Sequence, residues 1–279
     1  MPTGEIFGII IFMDTYALRG TVTYTIFRQL SLHFVSLVTT IGDIIRFGYA
    51  VIKNLFRGNV DKKVLIEQCA RFGVSSLPIT LSIVGMSSVI VSMQVAGEMV
   101  KQGAGNFVGL LVAMLIVRED GIIMSGFAII SMIGSSLASE LATMRVTEQI
   151  DAIKVLKVDP VEYLFVPRVL SGILMMPMIL IVASVVGIVG GGIAAHLASG
   201  LSYKAYFDSV YHGLYLKDMN VAILKAITFG FTIALVSCTC GYRATGGAKG
   251  VGLATTKAVV WSFVGIVILD LIFSIVFFF

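Results

Sequence analysis

The sequence predicts an all-α, polytopic membrane protein with about five transmembrane helices, an N-terminal interfacial amphipathic helix and a helix that projects into the cytoplasm. Three observations lead there. Hydrophobic residues fill 57% of the 279 positions and charged residues only 13%, with a mean hydropathy of +0.99. A soluble domain carries roughly 25% charged residues, so this chain lacks the polar side chains to cover a water-facing surface. Apolar runs recur at lengths close to the roughly 20 residues that cross about 30 Å of hydrocarbon. Basic residues gather on alternate connections rather than along a stripe; with a net charge of only +4 they argue for membrane topology and against nucleic acid as a partner.

In chain order, Ile6 to Met13 is a short apolar run broken by Asp14, without the basic start and small-residue cleavage site of a signal peptide. Ile41, Ile44, Ile45, Gly48, Ile52, Leu55 and Phe56 recur at helical spacing, while Asp43, Arg46, Lys53 and Arg57 take the opposite face. This pattern predicts a helix lying in the membrane interface. The alternative, a span from Leu30 to Val51, buries Asp43 and Arg46. Arg57-Gly58-Asn59 ends the helix and divides an N-terminal segment, 1–60, from a membrane domain, 61–279.

Asp61 to Arg71 is a polar lead-in to the first span, Val74 to Ala96. The next apolar region, Phe107 to Ala142, is interrupted by Arg118-Glu119-Asp120. The piece before Arg118, about a dozen residues at roughly 1.5 Å each, is too short to cross alone. The region therefore reads as one long helix, bent at Gly121 and protruding from the membrane. Three more spans follow: Val169 to Leu197, with Pro167 and Pro177 to bend it, Val221 to Cys240, and Ala258 to Phe279.

Arg46, Lys53, Arg57, Lys62, Lys63, Arg71, Arg145, Lys154, Lys157, Arg168, Arg243, Lys249 and Lys257 then share one side of the membrane, against Lys101, Lys204 and Lys217 on the other. The positive-inside rule assigns the first group to the cytoplasm. The N-terminus is expected inside, the C-terminus outside, and Arg145 to Lys157 in the cytoplasm.

That cytoplasmic stretch is the first candidate site. Val146, Ile150 and Ile153 share a helix face, and Asp151 pairs with Lys154 at i,i+3. After Lys157-Val158, Asp159 is an N-cap followed by Pro160 at the first helical position and Glu162 at the third. Two helices joined by a tight turn project from the membrane, either as a docking element or as a solvated connector. The second candidate is the set of ionisable residues within apolar runs: Arg118, Glu119, Asp120, Lys225 and Asp270. Each is costly in hydrocarbon unless paired, and helix rise brings Glu119, Lys225 and Asp270 to overlapping depths. They read as a structural lock between helices or as a gating element.

Other chemistry is not assembled. Cys69, Cys238, Cys240, His33, His196 and His212 form no metal-ligand spacing, so free thiols, no metal and no cofactor are expected. No GK[ST] occurs, so the chain has no P-loop of its own, and no nucleophile and base stand at suggestive spacing. Gly187, Gly191 and Gly192 form a small-residue face suited to close helix packing.

Glu140 to Pro160, with its Met-Arg-Val-Thr-Glu-Gln-Ile-Asp-Ala core, resembles the MlaE/YrbE family of ABC transporter permeases, as do Tyr163 to Leu170, Leu115-Ile-Val-Arg-Glu119 and Gly252-Leu-Ala-Thr-Thr-Lys257. The resemblance runs from about Asp61 to the C-terminus and is weaker over the first 60 residues. It implies a homodimeric, non-enzymatic permease of the inner (cytoplasmic) membrane. Such a permease works with a separate cytoplasmic ABC ATPase and an extracytoplasmic MCE-domain lipid-binding protein, and moves phospholipid or related lipids. It further implies that Glu140, Arg145, Thr147, Glu148, Gln149 and Asp151 couple to the ATPase. A lipid cavity between two copies is implied as well, for which Leu81, Val84, Val89 and Leu115 are candidates. Asp120-Gly121-Ile122 departs from the Leu-Gly-Pro of many members. The competing reading, an ion-coupled secondary transporter built on the intramembrane charges, finds no inverted repeats and leaves the projecting helix pair unexplained.

Overall fold

The computed structural model describes residues 22–55 and 61–278, and among these all regular structure is helical. Ile6 to Met13, Phe56, the Arg57 to Asn59 break and Phe279 lie outside the described residues. The chain divides into two units, one ending at Arg46 and one running from Phe47 to Phe279. Helix α1, Val22–Leu55, contributes to both and begins well before the Ile41 at which its periodicity becomes apolar. In the larger unit its packed residues are Gly48, Val51 and Asn54, with Phe47 stacked on Phe165 at 5.0 Å between centroids, while Tyr49 and Ile52 stay exposed. The packed strip is thus not the isoleucine strip. Gly48 lets Leu235 approach to 3.1 Å from where a Cβ would stand, and that close approach selects the face.

Asp61 caps α2, Lys62–Gly73, its Oδ1 accepting from the Lys63 amide at 2.9 Å. Helix α3, Leu77–Lys101, is the first span. A single 3₁₀ turn, Gly105–Phe107, leads into α4, residues 108–146, which is helical throughout. The expected long helix is therefore continuous, but the irregularity at Gly121 takes the form of π-turns, at Ile116–Asp120 and again at Ile130–Gly134. Helix α5 is Gln149–Val155. Helix α6, Val161–Ser199, opens on a π-turn at Val161–Phe165 after the Asp159 cap, whose Oδ1 accepts from the Val161 amide at 2.9 Å. Helix α7, Tyr203–Gly213, lies in a connection that the sequence left unassigned. Helices α8, Leu216–Tyr242, and α9, Gly247–Phe278, complete the set.

Among the described residues, four stretches are long and apolar enough to cross a membrane: Lys62–Lys101, α6, α8 and α9. Helix α4, at about 1.5 Å per residue, is longer than the bilayer is thick. In α8, 67% of the apolar stretch is buried, against 17% in α9, which makes α8 the central helix and α9 a peripheral one. Helix α3 runs along α6, and α8 packs on α6, α9 and the last third of α4. Contact between α3 and α6 is close because the glycine face of α6 removes side chains there. A Cβ on Gly187 would stand 2.5 Å from Ser88 Oγ, and Ser92 Oγ donates to the Gly191 carbonyl at 2.6 Å. Val84 is completely buried in this chain, so it belongs to helix packing and cannot line an open cavity.

Candidate functional site

At the membrane-crossing level the π-turn of α4 organises the charges. A π-turn holds one residue more than the α-helical ladder accommodates, which reorients the side chains around it and makes a backbone carbonyl available. Arg118, Glu119 and Asp120 are consecutive, yet each meets a different partner: Arg118 and Glu119 reach α8 and α9, and Asp120 reaches α3. Arg118 Nη2 lies 3.0 Å from the Asp218 carboxylate in the first turn of α8, and its guanidinium sits 4.6 Å from the Phe278 ring centroid. Asp120 Oδ1 accepts from Ser87 Oγ on α3 at 2.7 Å. Glu119 faces α8 and α9.

Lys225 is the centre of this arrangement. Its side chain is fully buried, and Nζ donates to both Glu119 oxygens at 3.2 Å, to Asp270 Oδ1 at 2.9 Å, to Ser274 Oγ at 3.1 Å and to the Arg118 carbonyl at 3.1 Å. An ammonium has three N–H donors, so these acceptors share them. Ser274 Oγ closes the ring by donating to Glu119 Oε1 at 2.8 Å. A charge that hydrocarbon would not tolerate is thereby held by two carboxylates. Glu119 is the open member of the group, with 35% of its side chain accessible.

At the opposite end, α4 and α5 do not form one helix from Glu140 to Lys157, as the periodicity implied. Glu148 adopts a left-handed conformation, φ 60°, which stops α4 and starts α5, and Lys157 at φ 59° stops α5 in the same way. Non-glycine residues rarely hold this conformation. The turn is braced by Asp151, which accepts from Arg145 Nη1 at 2.8 Å and from Lys154 Nζ at 2.8 Å. The Lys154 ammonium first, then Arg145, holds the Asp151 carboxyl below its ordinary range, and Asp151 in return raises Lys154. Both cations lie over the Tyr242 ring, at 5.8 and 5.7 Å from its centroid. Tyr242 in turn meets Phe47 of α1 and Phe165 of α6 edge-on. The turn is thus connected mechanically to the ends of three other helices.

The residues expected to couple therefore separate by what they touch. Glu140 does not project: its Oε1 accepts from Arg168 at 2.7 Å and its Oε2 from Arg71 at 2.6 Å, tying α4 to α6 and α2. Arg145 and Asp151 shape the turn from within. Thr147, Glu148 and Gln149 are exposed, and beside them stand Val155 and Leu156, 81% and 75% exposed. Of the cavity candidates, Leu115 is exposed, Leu81 and Val89 are partly so, and Val84 is enclosed. Sequence reasoning gave no site role to Asp218, Arg71, Arg168 and Tyr242, which stand outside or at the ends of the apolar runs, nor to Ser274, an uncharged residue within one.

With this geometry in place, comparison with known proteins is informative. The family described as "Permease MlaE" matches residues 65–276. A probable ABC transporter permease protein of Rickettsia felis is 33% identical over 239 residues, covering 86% of this chain and 92% of its own. One from Synechocystis sp. is 34% identical over 224 residues, covering 80% and 85%. The chloroplastic protein trigalactosyldiacylglycerol 1 of Arabidopsis thaliana is 34% identical over 231 residues, covering 82% and 65%.

Proposed function

The chain belongs to the MlaE permease family, as a non-enzymatic membrane subunit of an ABC transporter, and from that premise we propose that it moves phospholipid or a related diacyl lipid as a homodimer in the inner membrane. Its partners in this reading are a cytoplasmic ATPase chain, which docks on the α4–α5 turn, and an extracytoplasmic MCE-domain protein, which exchanges lipid with it. The observation that carries the docking is the turn itself. Val155 and Leu156 are exposed apolar side chains at the end of a helix that projects from the membrane, and such a pair is suited to burial against a protein partner. The lipid class is supported by the Arabidopsis relative, whose name contains a galactosylated diacylglycerol. The permease reading needs no ion pathway for Lys225, whose charge is matched within the chain by Glu119 and Asp270, as that of Arg118 is by Asp218.

The test is co-purification. Wild-type chain is expected to bring down an ATPase subunit, and lipid mass spectrometry of the complex should find diacyl lipid in excess over detergent-exchanged controls. Leu156→Asp should lose most of the ATPase while melting at the wild-type temperature, since Leu156 contributes almost nothing to the core. ATPase retained at wild-type stoichiometry would remove the turn as the docking element.

A further inference from the structure

Helix α7 is divided into sectors. Tyr206, Val210 and Gly213 are its buried side. They close on the start of α4, where the Tyr206 carbonyl occupies the place of a Cβ on Gly109, and Ser209 Oγ accepts from the Leu110 amide at 2.9 Å. About a quarter turn away, at 3.6 residues per turn, Tyr203, Phe207 and Tyr211 follow one another at i,i+4, and Tyr215 stands just past the helix end. All are exposed, Tyr211 by 82% and Tyr215 by 62%, with Leu216 beyond them at 83%. Lys204, Asp208 and His212 form the remaining, polar sector. Tyr203 does not swing freely, because its ring stacks on His196 at 4.3 Å.

The connections fix where this aromatic flank lies. Only residues 200–202 separate α7 from the end of α6, and only residues 214 and 215 separate it from the start of α8. From Ser199 to Tyr203 is four steps along the chain, so at no more than about 3.5 Å per step the longer link reaches about 14 Å. The headgroup layer occupies roughly 5 to 8 Å on each side of the hydrocarbon, and a helix with its side chains is about 10 Å across. The short links therefore keep helix α7 beside the ends of the two spans, at a height where a headgroup layer can receive it. The flank lies against the end of α6, where Tyr203 stacks on His196 and Phe207 reaches Gly192, and the neighbouring Ile193 and Leu197 are exposed apolar side chains. Tyrosines with an apolar ring and a polar tip are suited to that depth, and Lys204 and Lys217 beside them match lipid phosphates in charge.

We infer that α7 is an interfacial anchor: it lies flat in the headgroup layer of the membrane face opposite the α4–α5 turn, with Tyr203, Phe207, Tyr211 and Tyr215 in lipid, and fixes the depth of the α4 N-terminus. The occupant of the flank is the bilayer surface rather than a second protein. This stands on the membrane placement of the helices and not on the identity of the cargo, so ATPase co-purification and lipid anchoring can fail separately.

Trp261 is the sole tryptophan, which allows a direct depth measurement. In a Trp261→Phe background, Phe207→Trp, Tyr211→Trp and Asp208→Trp are placed singly in the full chain, purified as the assembled transporter and reconstituted in phosphatidylcholine nanodiscs, and the emission of the Trp261→Phe transporter alone, which is that of the partner chains, is subtracted. Positions 207 and 211 should show blue-shifted emission. Lipids brominated near the ester end of the acyl chain should quench most of it, those brominated near the methyl end less, and aqueous iodide little. Position 208 should give the reverse, strong iodide quenching and weak quenching by bromolipid. Iodide quenching at 207 and 211 equal to that at 208 would overturn the proposal, and so would protection from both iodide and bromolipid, which would mean that a protein covers the flank.

Discussion

Lys225 shows how a single residue sets the terms for its neighbours. Completely buried, it holds Glu119 and Asp270 together, so the effect of a substitution depends on what remains unpaired. Lys225→Met leaves two carboxylates facing each other and is expected to cost about 3 to 5 kcal/mol, the order for breaking a buried pair. Glu119→Gln leaves Asp270 as counter-ion and should cost less. Adding Asp270→Asn to Lys225→Met should recover part of the loss, which thermal unfolding in a double-mutant cycle reads directly; additive losses would show that the side chains do not interact. Asp151 makes a different prediction, about pH. Its carboxyl is held below the ordinary 3.8 by Lys154 and Arg145. A group depressed in the folded state contributes stability above its unfolded pKa and loses it as pH falls through the folded one. The α4–α5 turn should therefore keep its shape from pH 7 to pH 5 and open only below about 3.8. Spin labels at Thr143 and Val155 would report the distance, and widening already at pH 5 would count against the Asp151 brace. The charged members of the Lys225 group were legible in the sequence because a charge inside an apolar run is costly and visible, whereas the uncharged Ser274 was not. Asp218 was not, since it stands in the polar first turn of α8 and gains meaning only when folding brings Arg118 to it.

Among the elements, α4 decides most of the geometry. Its length was legible from the impossibility of ending a span at Arg118, but its π-turns were not, because a π-turn has no periodicity of its own in a single apolar sequence. Gly121 marks the place for a physical reason. Its amide donates to the Ile116 carbonyl, and a Cβ there would stand 2.6 Å from that same oxygen. Gly121→Ala should therefore destabilise the chain by about 1 to 3 kcal/mol, the range for forcing extra atoms into a packed site, or pull the π-turn back toward α-helical register. Either way Glu119 is misaligned with Lys225. A variant that melts at the wild-type temperature and keeps the stability effect of Lys225→Met would show that the π-turn does not depend on this glycine. The turn between α4 and α5 escaped the sequence for a related reason: glutamate is a good helix former, and nothing local announces that Glu148 will be left-handed. Helix α7 was hidden by its shortness, since its apolar and aromatic residues are split between two faces and make no single stripe.

For the whole molecule, the surface left open by one chain bears on what the second copy of the proposed homodimer would cover. Leu115, 42% exposed, stands on α4 immediately before the Ile116–Asp120 π-turn, and Leu81 is partly exposed on α3, whereas Val84 is sealed between helices. The apolar wall near Leu115 beside the accessible carboxylate of Glu119 is an amphiphilic surface, suited to a molecule with acyl chains and a polar head. In the proposed homodimer two such surfaces face each other and enclose the lipid. Photo-crosslinking residues at Leu115 and Leu81 should then capture phospholipid acyl chains in the assembled transporter, and capture should rise when the ATPase is arrested in one nucleotide state. Val182, 43% exposed on α6, provides the comparison position outside the Leu115 wall. Capture at Leu115 that neither exceeds Val182 nor responds to nucleotide would mean that the Leu115 wall faces ordinary bilayer. In that case the lipid path would have to be sought on another face of α3 and α4.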